Sequence, residues 1–332
     1  MLRGISPGTG GNQGAVWYSS GIVKRLRGKD FLSISDLRPG ELRALLDLAD
    51  GVKRTPKKWR AALSGVRLAL LFEKPSLRTR VTFEVAAGEL GGDSIFLSPG
   101  EVGLGIREPV KDVARNLERW VQGIVARVFR HATLQELARY ADVPVVNALC
   151  DLEHPCQILA DLQTLRERWG SLAGRRIAWL GDGNNVCHSL LLGAAMSGMS
   201  AVAATPKGYE PKRSVVAHAR KEARRHGAEI ALTSDPEEAV AGADAVYTDV
   251  WASMGQESEK EARAGVFHPY RVSGRLMRKA ARGALFLHCL PAHRGEEVQT
   301  EVLESRASVV FDQAENRLHA QKAVLLALFG AA

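Results

Sequence analysis

Reactive side chains are packed most densely in the stretch Lys74-Pro75-Ser76-Leu77-Arg78-Thr79-Arg80. It follows an apolar run, residues 66–72, that reads as a buried parallel strand. It precedes residues 81–90, whose apolar positions fall at helical spacing. A strand-to-helix corner offers free backbone N–H groups and the positive end of a helix dipole, which together attract an anion. Ser76 and Thr79 add hydroxyls, and Arg78 and Arg80 add guanidinium forks that match a phosphate. The spacing is not that of a nucleotide P-loop. The plainer reading is a capped helix with two solvated arginines, but two arginines, two hydroxyls and a proline in one turn argue against it.

Other unusual polar residues also follow apolar runs. Arg127 interrupts such a run, where a charge needs a partner; a bound phosphate or an ordinary salt bridge would each supply one. In His154-Pro155-Cys156-Gln157 the proline pre-sets a first helical turn and leaves His154 and Gln157 on one side of it. An imidazole donates to a carbonyl oxygen and a carboxamide pairs with –NH2, although a histidine cap without a ligand has the same sequence. Gly181-Asp182-Gly183-Asn184-Asn185 opens like a dinucleotide fingerprint, yet Val186 replaces its third glycine and the next strand runs into Thr205-Pro206 rather than an acid. A nicotinamide cofactor is therefore discounted, leaving a glycine turn that aims carboxamides, Asn185 among them, at a carboxylate. Asp249 at a strand end suits an amine, and Ser253 with Met254 suits a carboxylate. In His288-Cys289-Leu290-Pro291 a thiol beside an imidazole can have a lowered pKa, or be a packed cysteine before a proline turn. Arg317, in Glu315-Asn316-Arg317, stands where a last helix begins.

These residues need a scaffold that brings strand ends together. Strands are predicted at 66–72, 94–97, 124–128 and 143–147, with helices at about 39–53 and from about 77, 110 and 133. A helix at 155–169 then leads to strands at 175–181, 200–204, 228–232, 244–248 and 284–288. Between them fall helices at 186–198, 212–226, 236–241 and 269–281, and a last helix at 314–329. Such βα repetition predicts an α/β fold: two doubly wound parallel-sheet domains joined by interdomain helices, the C-terminal helix packing back on the first. The expected divisions are a disordered extension at 1–30, a first domain at 31–153 with helix 314–330, and a second at 154–313. Residues 1–28 contain no acidic residue. Ligands in such sheets bind beyond the carboxyl ends of the strands, which is where the polar residues above fall.

The formal charge of +8 is spread along the chain rather than clustered with aromatics. That pattern favours an anionic small substrate over nucleic acid. No apolar run has membrane length, and no secretory signal pattern appears. Cys150, Cys156, Cys187 and Cys289 form no C-x-x-C pair and no zinc-spaced cluster, so free thiols in a reducing cytoplasm and no bound metal are expected.

Six ordered segments resemble the aspartate/ornithine transcarbamoylase family, nearest its ornithine-using branch: Ser76 to Arg80, Ala126-Arg127-Val128, His154 to Gln157, Asp249 to Gly255, His288 to Pro291, and Glu315-Asn316-Arg317. The resemblance covers 31–329. It implies transfer of the carbamoyl group of carbamoyl phosphate to the δ-amine of L-ornithine, giving L-citrulline and phosphate, in arginine biosynthesis or in reverse, with no cofactor. It also implies that Ser76, the Leu77 backbone, Arg78, Thr79 and Arg127 hold the phosphate. Thr79, Arg127 and His154 would face the carbonyl oxygen. Gln157, the Leu290 carbonyl and Arg317 would hold the carbamoyl end. Asn185, Asp249, Ser253 and Met254 would hold ornithine, with Cys289 beside its amines as proton acceptor. The implied assembly is a homotrimer that shares the loop 99–109, although Gly103 stands where many relatives have glutamine and Leu77 where many have threonine. Putrescine, N-acylated ornithine or aspartate as acceptor, and a non-catalytic metabolite binder, are the alternatives.

Overall fold

The computed structural model describes residues 24–252 and 259–330. The short apolar runs become nine strands among these residues: β1 (Arg67–Phe72), β2 (Asp93–Leu97), β3 (Gly123–Arg127), β4 (Val145–Leu149), β5 (Arg176–Leu180), β6 (Ser200–Ala204), β7 (Ile230–Thr233), β8 (Ala245–Thr248) and β9 (Leu285–His288). They form two parallel sheets, ordered β2-β1-β3-β4 and β7-β6-β5-β8-β9. The near-continuous burial of β1, β3, β5 and β8 explains why they read as apolar runs rather than alternating patterns, while the edge strands β2 and β7 are partly exposed. Each sheet reverses winding direction once, between β1 and β3 and between β5 and β8. A cleft opens at such a switch point.

The helices of eight or more residues are α1 (Pro39–Arg54), α2 (Leu77–Glu89), α3 (Val110–Leu117), α4 (His131–Tyr140), α5 (Pro155–Trp169), α6 (Asn185–Ser197), α7 (Arg213–Arg225), α8 (Lys260–Phe267) and α9 (Val310–Phe329). The Ser76 hydroxyl caps α2 by accepting from the Thr79 N–H, and the Asn184 carboxamide caps α6 by accepting from the Val186 and Cys187 N–H groups. α5 starts at Pro155, as proline in a first turn favours. α5 and α6 approach so closely that a Cβ at Gly193 would lie 2.6 Å from Ile158 Cγ2. α9 runs back across the molecule and packs on α5, α1 and α2. Val324, Leu325, Leu326 and Leu328 are all buried along it, each contributing roughly 1.5–3 kcal/mol of transfer free energy.

Three expectations differ from what is observed. The span 269–281 is not one helix. A single 3-10 turn at His268–Tyr270 is followed by extended backbone, where the Val272 N–H donates to Glu297 O at 2.8 Å, and then by one helical turn at Gly274–Met277 capped by Ser273. α8 lies just before it and was not anticipated. α9 begins at Val310, four residues earlier than expected. Of the segment 1–30 expected to be disordered, residues 1–23 lie outside the described ones. Within the remainder Leu26 is buried and Arg25 pairs with Glu41.

Candidate active site

A cavity of about 560 Å³ lies between the two sheets. Its walls come from the turn after β1 (Lys74 to Thr79), the end of β3 (Arg127), the start of α5 (His154, Gln157), the start of α6 (Asn185, Val186), the segment after β8 (Asp249, Val250, Ala252), the segment after β9 (Cys289, Leu290, Pro291, His293, Glu296) and α9 (Arg317). β1 with β3 and β5 with β8 are the two switch-point pairs, so both sheets open onto this space. Of the residues expected at a site, Ser76, Leu77, Arg78, Thr79, Arg127, His154, Gln157, Asn185, Asp249, Cys289, Leu290 and Arg317 line it. Ser253 and Met254 lie outside the described residues.

One wall is cationic. Arg127 is 6% exposed and, among the described residues, has no carboxylate partner, so the salt bridge that sequence left open is not formed. Burial, reinforced by Arg317 and Arg78, lowers its pKa to about 10. Burial also lowers the Arg78 pKa, opposed by Cys289 and Asp249. Arg317 donates from Nη1 to Gln157 Oε1 at 2.6 Å and from Nη2 to Thr79 Oγ1 at 3.1 Å. Burial, then the charges of Arg317, Arg127 and Arg78, push the His154 pKa well below the usual histidine range, so its imidazole is neutral at pH 7. Arg127 Nε, His154 Nδ1 and Arg317 Nε are buried without a hydrogen-bond partner among the described residues. Buried groups with unmet hydrogen-bonding capacity are costly and mark a site built for something else.

Arg80 does not join this wall. Two positions along a helix point in different directions, and Arg80 instead pairs with Glu84 at 2.9 Å and covers the Phe96 ring. Leu77 lines the cavity and is 73% exposed. Gly103 ends a helical turn at φ +56, Arg107 donates to Glu101 O at 3.1 Å, and neither lines the cavity.

The facing wall carries the acid and the thiol. Cys289 Sγ donates to Asp249 Oδ1 at 3.0 Å, and Asp249 Oδ2 accepts from Asn184 Nδ2 at 2.8 Å. The sequence left open an activated thiol with a lowered pKa or a packed cysteine before a proline turn. Burial, then the Asp249 carboxylate, pushes the Cys289 thiol well above the usual cysteine range, which favours the second. His288 does not activate it, because Nδ1 accepts from the Leu290 N–H at 2.9 Å and Nε2 meets Glu297 Oε1 at 3.1 Å. Asp249, His288 and Cys289 have ligand atoms within 4.8 Å of one another, but the same contacts already engage both ring nitrogens and the thiol. Leu290 takes φ +58, a sterically costly conformation for a branched residue, at the lip of the cavity. Asn185 turns its Nδ2 to Cys150 O at 2.6 Å.

Sequence reasoning assigned no site role to Lys74, His293 or Glu296, which line the cavity, while Asn184 lies outside that lining and holds Asp249. Asn184 was visible as the cap-type residue before α6. Lys74 has a pKa lowered by burial and then by Arg127. The glycine turn is explained by contact rather than by a nucleotide, since a Cβ on Gly183 would lie 2.3 Å from Pro211 N. Asp182 in that turn pairs with Arg263 at 3.0 Å, and burial raises its pKa to about 6.

The aspartate/ornithine carbamoyltransferase family models match here in two parts, the carbamoyl-P binding domain over 29–167 and the Asp/Orn binding domain over 173–328. The chain is 53% identical over 311 residues to the ornithine carbamoyltransferase of Carboxydothermus hydrogenoformans, covering 93% of this chain and 100% of that one. Its fold superposes on the ornithine carbamoyltransferase of Pyrococcus furiosus with a TM-score of 0.89 at 47% identity, covering 92% and 98% of the two chains. For the Thermus thermophilus enzyme of the same name the TM-score is 0.80 at 53% identity, covering 90% and 97%. Architecture, cavity and likeness over nearly its full length agree, and the chain belongs to the aspartate/ornithine carbamoyltransferase family.

Proposed function

We infer that this chain transfers the carbamoyl group of carbamoyl phosphate to the δ-amine of L-ornithine, releasing L-citrulline and phosphate. The observation that carries this reading is the cluster of Arg127, Arg317 and His154, each with a buried unpartnered nitrogen, facing Asp249 and Cys289 across one cavity. A phosphate suits the α2 N-terminus with Ser76, Arg78, Thr79 and Arg127. The carbonyl oxygen suits Thr79, Arg127 and the neutral His154, which donates a proton in a hydrogen bond without needing to lose a charge. The carbamoyl –NH2 suits Gln157 Oε1 and the Leu290 carbonyl. The amino acid suits Asn185 and Asp249, with Ser253 and Met254 expected beside them.

The ornithine δ-amine resembles that of lysine, with a pKa of roughly 10.4, so reaching its free-base form at pH 7 costs ~4–5 kcal/mol. A dry, closed cavity offsets part of this and holds the nitrogen in line with the carbonyl carbon. As the C–N bond forms, negative charge grows on the carbonyl oxygen, where losing one donor costs on the order of 10²-fold or more. The C–O bond to phosphate then breaks. The departing phosphate gains charge against Arg78 and Arg127 and takes the proton released by nitrogen. Cys289, held protonated as a donor to Asp249, orients that carboxylate toward the amine instead of serving as base. No metal or organic cofactor enters these steps, because the donor is already an activated acyl group.

The test is citrulline formation by purified protein from carbamoyl phosphate and ornithine, with putrescine, N-acetylornithine and aspartate as competing acceptors. Ornithine turnover at least tenfold above the others is expected. Turnover with none of them removes the reading.

Self-association into a trimer is part of the proposal. Leu77, Val81 and Val85, four residues apart, form one exposed apolar stripe along α2, and Ile95 and Ile106 are exposed on the same domain. A cytoplasmic location is proposed on the four free thiols. No helix among the described residues is long and apolar enough to cross a membrane.

A further inference from the structure

The Gln157 carboxamide is gripped by two partners of fixed polarity. Its Oε1 accepts from Arg317 Nη1 at 2.6 Å, and its Nε2 donates to Asp161 Oδ1 at 2.8 Å. A guanidinium only donates and an ionised carboxylate only accepts. The flipped amide would set N–H against N–H and oxygen against oxygen. Asp161 is fully buried one helical turn below Gln157 and does not touch the cavity. It is itself held. Gln313 Nε2 donates to the same Oδ1 at 2.7 Å, and the Tyr247 hydroxyl donates to Oδ2 at 2.8 Å. Its three donors thus come from α5, β8 and α9, and they lock the carboxylate from every side on which it has an oxygen. The site residues assigned above do not include Asp161, Tyr247 or Gln313.

A carbonyl oxygen has two lone pairs. Arg317 uses one on Gln157 Oε1, and the other is left for the cavity. Tied at its oxygen alone, the amide could still rotate and carry that lone pair away. Tied at both ends, it presents a fixed acceptor.

We propose that Asp161 is a positioning residue that fixes the acceptor end of the Gln157 carboxamide toward the cavity, and so makes the site select a donor with –NH2 on its transferred carbonyl over an acyl donor with a methyl group there. This rests on the carbamoyl-transfer reading above and deepens it. A site that meets –NH2 with a desolvated acceptor discriminates strongly against a methyl isostere, because the acceptor is then left unpaired.

The experiment compares phosphonoacetamide with acetonylphosphonate, which differ in –NH2 against –CH3, by calorimetric titration into the ornithine-free protein. Inorganic phosphate serves as the probe of the cationic wall. The wild type is expected to prefer the amide by tenfold or more. Asp161→Ser, which shortens the side chain and so withdraws the acceptor from Gln157 Nε2, is expected to cut that preference at least tenfold while phosphate affinity stays within threefold. Asp161→Asn is expected to keep the preference within threefold. Two donors converge on Oδ1 and hold its carbonyl there, while the Tyr247 hydroxyl accepts from the new –NH2.

A folded Asp161→Ser protein with the wild-type preference overturns the inference. So does an Asp161→Asn protein that loses the preference as fully as Asp161→Ser, or an equal loss of phosphate affinity, which would mark general collapse of the cavity. Should Asp161→Ser not fold, Asp161→Glu, which moves the acceptor by about one C–C bond, carries the same expectation and the same refutation. Wild-type protein that binds phosphate but neither analogue overturns the carbamoyl-transfer reading itself, and this inference with it.

Discussion

Replacing Arg127 with methionine should make the ligand-free protein more stable and the enzyme nearly inactive. Arg127 is buried beside Arg78 and Arg317 with no carboxylate partner among the described residues. The lowering of its pKa from the usual arginine range to about 10 corresponds to roughly 3 kcal/mol of strain in the charged form, to order of magnitude. The sign is that of a base whose pKa falls on folding. The penalty is in full force below about pH 10 and is relieved only above it. Methionine fills the space of the aliphatic stem up to the Nε position without the charge, so about 1–3 kcal/mol should be recovered, the lower figure allowing for the space left where the guanidinium stood. For a chain of this size that is a rise in Tm on the order of 2–6 °C. Phosphate should raise the wild-type Tm, because an anion supplies the missing partner, and should leave the variant's Tm nearly unchanged. Turnover should fall by about 10³-fold or more, since both oxyanion and phosphate lose a donor. Differential scanning fluorimetry with and without phosphate, beside the citrulline assay, reads all three. A variant that melts more than a few degrees below the wild type would show that protein groups already satisfy this charge, and the electrostatic argument for the cavity would be wrong.

Arg78→Ala should also lower kcat/KM by about 10³-fold or more with Tm shifted by no more than ~1 °C; unchanged turnover would remove the phosphate wall. Cys289, with its pKa raised by burial and Asp249, should react with iodoacetamide at pH 8 more slowly than free glutathione does, and faster labelling would reinstate the activated thiol that its neighbouring histidine suggested. His154 has a depressed folded-state pKa, so the unfolded chain takes up its proton first and stability falls as pH drops below about 6.5, by up to ~1.4 kcal/mol per pH unit. Asp161, raised to about 6 by burial, acts in the opposite direction just below that range. The stability gap between the wild type and His154→Asn should therefore narrow between pH 7.5 and 5.5, and a constant gap contradicts the assignment of a neutral imidazole. Val85→Glu, set into the exposed apolar stripe of α2, should reduce the sedimenting mass to that of a single chain if that stripe is the self-association face; an unaltered mass relocates the interface.

The strands were legible because a sheet covered on both faces demands apolar residues at consecutive positions, and β1, β3, β5 and β8 all supply them. The corners after them were legible because charged or carboxamide residues at such places have few purely structural uses. What failed was local patterning that several environments satisfy equally. The span 269–281 has helix-like apolar spacing, but Ser273 caps a new turn inside it and Val272 pairs with Val298 from outside it. α8 has a polar, charged start that shows no apolar face in sequence. Cys289 was read from its neighbour His288, yet its proton is governed by Asp249, forty positions away and 3.0 Å distant. Asp161, Tyr247 and Gln313 fit no local motif, since their meeting depends on how α5, β8 and α9 dock.

The descent of α9 onto α5, α1 and α2 has a consequence for biosynthesis. Arg317 joins Gln157 and Thr79, residues that leave the ribosome long before it does. Both sheets can form on a nascent chain while the cationic pocket is still open, and the last guanidinium to arrive closes it. A chain cut short after β9 loses both this guanidinium and the buried face of α9 that covers α1, α2 and α5, so that premature termination yields inert protein instead of a partly working enzyme.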